Sequence, residues 1–182
     1  VMGRLPLVEH EATVTMLALQ GGVNAPLVVL AGGTAAGDAL LVLRPNGTPL
    51  EQVATERVDV RLIAGYWNEL ERLHASGIVH GDLDRWHLGV TDGGDACLVG
   101  LAPAEVSVTE RMRQIDRAQL LATSAGLVGA EAAVGAAREA IGAEGLLEVQ
   151  SYLQAAVLAG VDRGQGQHRR LEVGLHLEQS LR

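Results

Sequence analysis

The stretch Gly77-Ile78-Val79-His80-Gly81-Asp82-Leu83-Asp84-Arg85-Trp86-His87-Leu88 constrains this chain more than any other. An apolar pair, Ile78-Val79, runs into a compact polar knot, and the chain leaves through Leu88-Gly89-Val90. Ahead of the knot, Val58, Leu62, Tyr66, Leu70 and Leu73 recur at helical spacing, which predicts a long amphipathic helix over 55–74 with Trp67 flanking its stripe. Gly77 stops that helix. Behind the knot, 88–91 and 96–99 are short apolar runs joined by Asp92-Gly93-Gly94-Asp95, a strong hairpin signal. The polar loop is therefore expected to hang between a helix and a hairpin. His80, Asp82, Asp84 and His87 can be read as a His/Asp metal cluster, although spacing on a loop does not define ligand geometry.

The flanks fill in the order of elements. Val8, Ala12, Met16 and Leu19 predict a helix over 7–19 with Glu9 and Glu11 in its first turns, where the helix dipole favours anions. Gly21-Gly22 ends it. The apolar runs 26–30 and 38–43, separated by a Gly/Ala/Thr turn, predict an antiparallel pair of strands. Arg44-Pro45-Asn46-Gly47-Thr48-Pro49 should break all regular structure and act as a hinge. Beyond Pro103 the pattern is helical: 111–128, an Ala-rich 131–141, 146–158, a polar break at 160–167, and a last helix over 168–182.

Composition narrows the function classes. At 182 residues, nearly half of them hydrophobic, the chain can bury the core of one globular domain. It contains no Lys, all 14 basic residues being Arg, so no amine of this chain can clamp a nucleotide phosphate. A formal charge of −8 argues against a nucleic-acid surface. The single Cys97, in an apolar run, excludes an internal disulfide and reads as a small buried hydrophobe. No apolar stretch reaches the roughly 18 residues of a membrane span, and no signal peptide is evident. A reducing, cytoplasmic setting is expected, or the cytoplasmic face of a membrane as part of a longer protein.

Helix, two strands, hinge, long helix, His-Gly-Asp loop, hairpin, then helices: this order resembles the protein-kinase-like fold from its regulatory helix onward. The His-Gly-Asp form is similar to the small-molecule and atypical branches. The run from His80 through Ala125 is similar to the kinase-like domains that precede flippase-like or lysyl-phosphatidylglycerol-synthase-like membrane regions in actinobacteria. The resemblance implies one α+β domain: a truncated or degenerate small lobe over 1–43, a hinge over 44–50 and a mostly helical large lobe over 51–182. The family's glycine-rich loop and clamping Lys are not in this chain, so a fragment or a degenerate small lobe is expected.

Residue by residue, the resemblance implies Asp82 as the catalytic base and His80 as the prop of the loop. Glu11, with Glu9 as second choice, matches the helix Glu that would pair with the clamping Lys, and Leu43 and Arg44 fall where hinge backbone would meet adenine. Asp116 matches the buried helix Asp that tethers the catalytic-loop backbone, a carboxylate accepting N–H bonds. The family's metal ligands are replaced. His87 stands for Asn, and Gly100, or Leu98 in an alternative alignment, stands for the Asp of Asp-Phe-Gly.

Magnesium wants oxygen ligands, and imidazole suits softer metals. The expectation is therefore a pseudokinase, a regulatory or scaffolding domain with no metal site. It needs no cofactor, admits ATP and magnesium without turnover, and works through a protein partner or the remainder of its own polypeptide. Two alternatives stay open: an atypical small-molecule or lipid phosphotransferase with Asp82 as base, and a structural linker that binds no nucleotide.

Overall fold

The computed structural model describes residues 4–153, which form four helices and three small antiparallel sheets. Helix α1 spans Arg4–Gln20 and buries Ala12, Val14, Thr15 and Ala18. It starts earlier than expected, so Glu9 and Glu11 lie beyond its first turn, away from the positive end of the dipole. Gly22, at φ +80°, turns the chain out of the helix and into a short anchor. There the Asn24 amide N–H donates to Glu69 Oε2 (2.7 Å), its side-chain Nδ2 donates to the Ala96 carbonyl (2.9 Å), and its carbonyl accepts from Leu98 N–H (2.8 Å).

Strands β1 (Leu27–Gly33) and β2 (Ala39–Arg44) pair antiparallel from Leu27↔Arg44 to Gly33↔Ala39, with a bulge between Val28 and Leu30. The alternation of apolar residues drives the pairing, and α1 covers one face of the sheet. The other face leaves Leu27, Val29, Leu30, Leu40 and Val42 exposed. The expected irregular hinge contains a short strand instead. β3 (Thr48–Pro49) pairs with Val90 and Gly89 of β5 (Leu88–Val90), which in turn pairs with β6 (Ala96–Leu98). Pro49 is tolerated because β3 is an edge of this three-stranded sheet.

The long helix predicted over 55–74 is divided. Residues Leu50–Gln52 and Thr55–Arg57 form short 3₁₀ turns, and α2 begins only at Val60 and runs to Ala75. Asp59 decides the boundary: its carboxylate accepts the Leu62 N–H at 2.8 Å, a capping bond that periodicity does not reveal. The predicted stripe is otherwise the centre of the core. Leu62, Ile63, Tyr66, Trp67, Leu70 and Leu73 are buried against Leu50, Leu88, Leu98, Leu101, Leu120 and Leu146. Gly65 sits so close to β6 that a Cβ there would come within 2.7 Å of the Ala96 Cβ. Cys97 is buried in β6, and burial, followed by the nearby Glu69, pushes its thiol up to about 12.

A third sheet was not anticipated: Ile78–Val79 (β4) pairs with Glu105–Val106 (β7) and closes the loop region. Helix α3 spans Glu110–Val128, capped by Thr109, whose hydroxyl accepts from Met112 N–H. The break expected between helices over 131–141 and 146–158 falls at Gly142, where φ +72° and ψ 176° interrupt the helical run Ala130–Gln150 (α4) and only glycine is unstrained; residues 154–158 of the second lie outside the described residues. The break at 160–167 and the helix expected over 168–182 lie outside the described residues. Among those described, no helix is long and apolar enough to cross a membrane.

Candidate functional site

The 80–88 loop leaves β4 as a strand of two residues and is then held from below by one face of α3. Asp116 is 1% exposed and accepts three hydrogen bonds: from the His80 N–H (2.7 Å), the Gly81 N–H (2.8 Å) and the His74 imidazole Nε2 (3.0 Å). One turn further along α3, Gln119 accepts from Leu83 N–H (3.1 Å) and donates to the Gly81 carbonyl (3.0 Å). The Thr123 hydroxyl then donates to the Leu83 carbonyl at 2.7 Å. Positions 116, 119 and 123 share a helix face, so a regular helix becomes a three-point clamp on irregular backbone. Gln119, Thr123 and His74 were missed in the sequence, although the first two lie at helical spacing from Asp116. The Asp82 N–H donates to His80 Nδ1 (3.3 Å).

His80 is fully buried and holds its imidazole neutral: burial pushes its pKa down to about 4, with the Asp116 charge pulling the other way. A neutral ring leaves Nδ1 free to accept the Asp82 N–H. The ring meets that of His87 edge-on at 5.4 Å.

The second half of the loop turns about Asp84. Its Oδ1 accepts from Trp86 N–H (2.8 Å), His87 N–H (3.2 Å) and the His87 imidazole Nδ1 (2.8 Å). Arg85 fastens the turn outward through the Leu50 carbonyl (3.1 Å), and Trp86 stands 57% exposed. His87 Nδ1 is 4.0 Å from Asp82 Oδ2, and one donor atom each from Asp82, Asp84 and His87 lies within 4.8 Å of the others. His80, counted with this set on sequence, is not part of it. Gly100 lies directly across: a Cβ there would sit 3.0 Å from His87 Cδ2. Leu98 is buried in β6, facing the core.

The other sequence candidates lie further out. Glu11 is half-buried on α1 with no side-chain hydrogen bond or ion pair among the described residues. Burial raises its pKa, against the pull of His10 and His87. His10, not a candidate on sequence, ties α1 to the segment just ahead of β7 by donating from Nε2 to the Ala104 carbonyl (2.8 Å). Leu43 and Arg44 end β2, opposite Val28 and Leu27. A small, mostly apolar cavity of about 180 Å³ adjoins the loop, lined by Val79, Gly81, Pro103, Met112, Ile115 and Asp116. A larger one of about 450 Å³, between α2 and the turn of the hairpin, touches none of residues 80–88. Chemically, the loop brings two carboxylates and an imidazole together, partly open to solvent, with the Asp84 carboxylate held by the turn it caps.

No family model matches the sequence, and no curated protein matches it. Among solved structures the chain is similar to WbdD. A structure of WbdD with a kinase inhibitor aligns with a TM-score of 0.47 and 20% identity, over 65% of this chain and 29% of that one. A second WbdD structure aligns with a TM-score of 0.49 and 14% identity, over 95% of this chain and 41% of that one. The chain thus spans less than half the length of either neighbour.

Proposed function

We propose that this chain is a kinase-like domain that does not perform magnesium-dependent phosphoryl transfer and that serves as a regulatory or scaffolding part of a larger protein. One observation carries the reading. Gly100 stands against the His87 ring, so the two positions at which the resemblance implies metal ligands are neighbours in space, and together they offer one imidazole and no carboxylate. Phosphoryl transfer is mostly positioning and charge neutralisation by the metal. A base at Asp82 contributes only about 10²–10⁴-fold, and the chain has no Lys to hold phosphates. The tether by Asp116, Gln119 and Thr123 supports a loop kept for its shape. The exposed apolar side chains of α1, β1 and β2 support a protein partner or a further part of the same polypeptide, on the cytoplasmic side in our reading.

The competing reading, an atypical small-molecule or lipid phosphotransferase, draws on Asp82 and Asp84 lying beside His87. The experiment is ATP turnover with magnesium by the 182-residue chain and by its Asp82→Ala variant, alongside thermal shift with ATP. Turnover indistinguishable from buffer is expected. Magnesium-dependent turnover that disappears in the variant would overturn the proposal.

A further inference from the structure

We infer that the cleft between α2 and the hairpin turn binds a small amphoteric molecule, of amino-acid to dipeptide size, that carries a carboxylate and an ammonium group on a short apolar stem. The cleft touches none of residues 80–88, so its occupancy is independent of any kinase-like activity and is tested without nucleotide.

The cavity, about 450 Å³, has two walls. Residues 53–68 supply one, and residues 90–96 of the β5–β6 hairpin supply the other. Its floor is apolar, with Val53, Leu62 and Ala96 buried. A second cavity of about 420 Å³ opens beside it and shares Val53, Arg57 and Val90. A space of several hundred Å³ with an apolar floor and a few convergent polar groups is the ordinary make-up of a small-molecule site.

The polar groups around it are sorted by charge. Arg57, Arg61 and Asn68 come from the first wall and Asp95 from the second. All four side chains are exposed, and none makes a hydrogen bond or ion pair among the described residues. Elsewhere arginines of this chain find acids: Arg72 meets Glu69, Arg85 meets Glu51 and Arg117 meets Glu71. Here opposite charges line one cavity without pairing, and Asp59, between the two arginines, turns to the Leu62 N–H (2.8 Å). The gap between them is one that a ligand bridges. Guanidinium forks match a carboxylate, Asp95 matches an ammonium, and the Asn68 amide can donate or accept. The apolar stem then covers Val53, Leu62 and Ala96. A simple anion would face Asp95, with Asp92 in the adjoining cavity, and a simple cation would face the arginines. Only a molecule carrying both signs suits both walls.

The test is calorimetric titration of the 182-residue chain with L-leucine and with L-leucyl-L-leucine. The comparison probes are N-acetyl-leucine, which lacks the ammonium, and leucinamide, which lacks the carboxylate. Saturable binding of an amphoteric probe is expected, with each blocked analogue of leucine weaker by about tenfold, the scale of one lost charge-assisted hydrogen bond. Arg57→Ala combined with Arg61→Ala should erase the preference over leucinamide, and Asp95→Asn the preference over N-acetyl-leucine. Arg138→Ala, exposed on α4, should change neither. None of these side chains holds the fold, so thermal midpoints should stay level, and the blocked analogues test the unaltered chain without any substitution. Failure of both amphoteric probes to bind overturns the inference, and so do blocked analogues that bind as tightly. Discrimination against leucinamide that survives in the arginine variant overturns it too.

Discussion

Replacing Asp116 by alanine removes the acceptor for three donors at once, and the structure says what each loses. Gly81 is exposed, so water can take over its N–H. The His80 N–H and the His74 Nε2–H are buried and would be stranded. A stranded buried donor costs about 1–3 kcal/mol, so Asp116→Ala should destabilise by about 3 kcal/mol, a large share of a typical stability of 5–15 kcal/mol. Asp116→Asn keeps one oxygen but turns an N–H toward a donor, and should fall between the two, near about 2 kcal/mol. Urea unfolding of the 182-residue chain, followed by fluorescence of the buried Trp67, measures both. His74→Ala in the Asp116→Ala background should cost less than in the unaltered chain, since the partner is already lost. An Asp116→Ala variant within about 0.5 kcal/mol of the unaltered chain, or strict additivity with His74→Ala, would refute the assignment of Asp116 as the hub of the loop.

Two further outcomes follow from burial. His80 has a folded pKa near 4 against an ordinary 6.5, so the unfolded chain binds its proton first. Its contribution is fully present above pH 6.5 and is lost as pH falls from 6.5 toward 4, by roughly 3 kcal/mol over that window. His80→Asn should flatten that part of the pH–stability curve, and an unchanged slope between pH 6.5 and 4 would count against a buried neutral ring. Gly65→Ala should destabilise by about 1–3 kcal/mol despite the better helix propensity of alanine, because the new methyl meets the Ala96 Cβ at 2.7 Å. Thermal unfolding settles the sign, and a raised midpoint would mean that β6 yields.

How much of this molecule could be read in advance depended on the range of the physics. Periodicity is local, so the stripe Leu62, Tyr66, Leu70, Leu73, the hairpin about Gly93-Gly94 and the pairing of β1 with β2 were legible. So was the oddity of Asp116, an acid within an apolar helix, because a buried carboxylate must find donors. The sequence also determined what chemistry is absent from the chain: no Lys, and no carboxylate at 87 or 100. What only the tertiary structure decided are bonds between residues far apart in sequence. Asn24 joins Glu69 and Ala96, His10 reaches Ala104, Thr48 pairs with Val90, and β4 finds β7. None of these residues has a pattern of its own, since a single polar side chain or a two-residue strand gains its meaning from a partner brought near by the core. The candidate site shows both limits. Its residues are adjacent on one loop and were legible, yet which of them face one another was decided by α3. That helix spends Asp116, Gln119 and Thr123 on the backbone, buries His80, and leaves Asp82, Asp84 and His87 together at the surface.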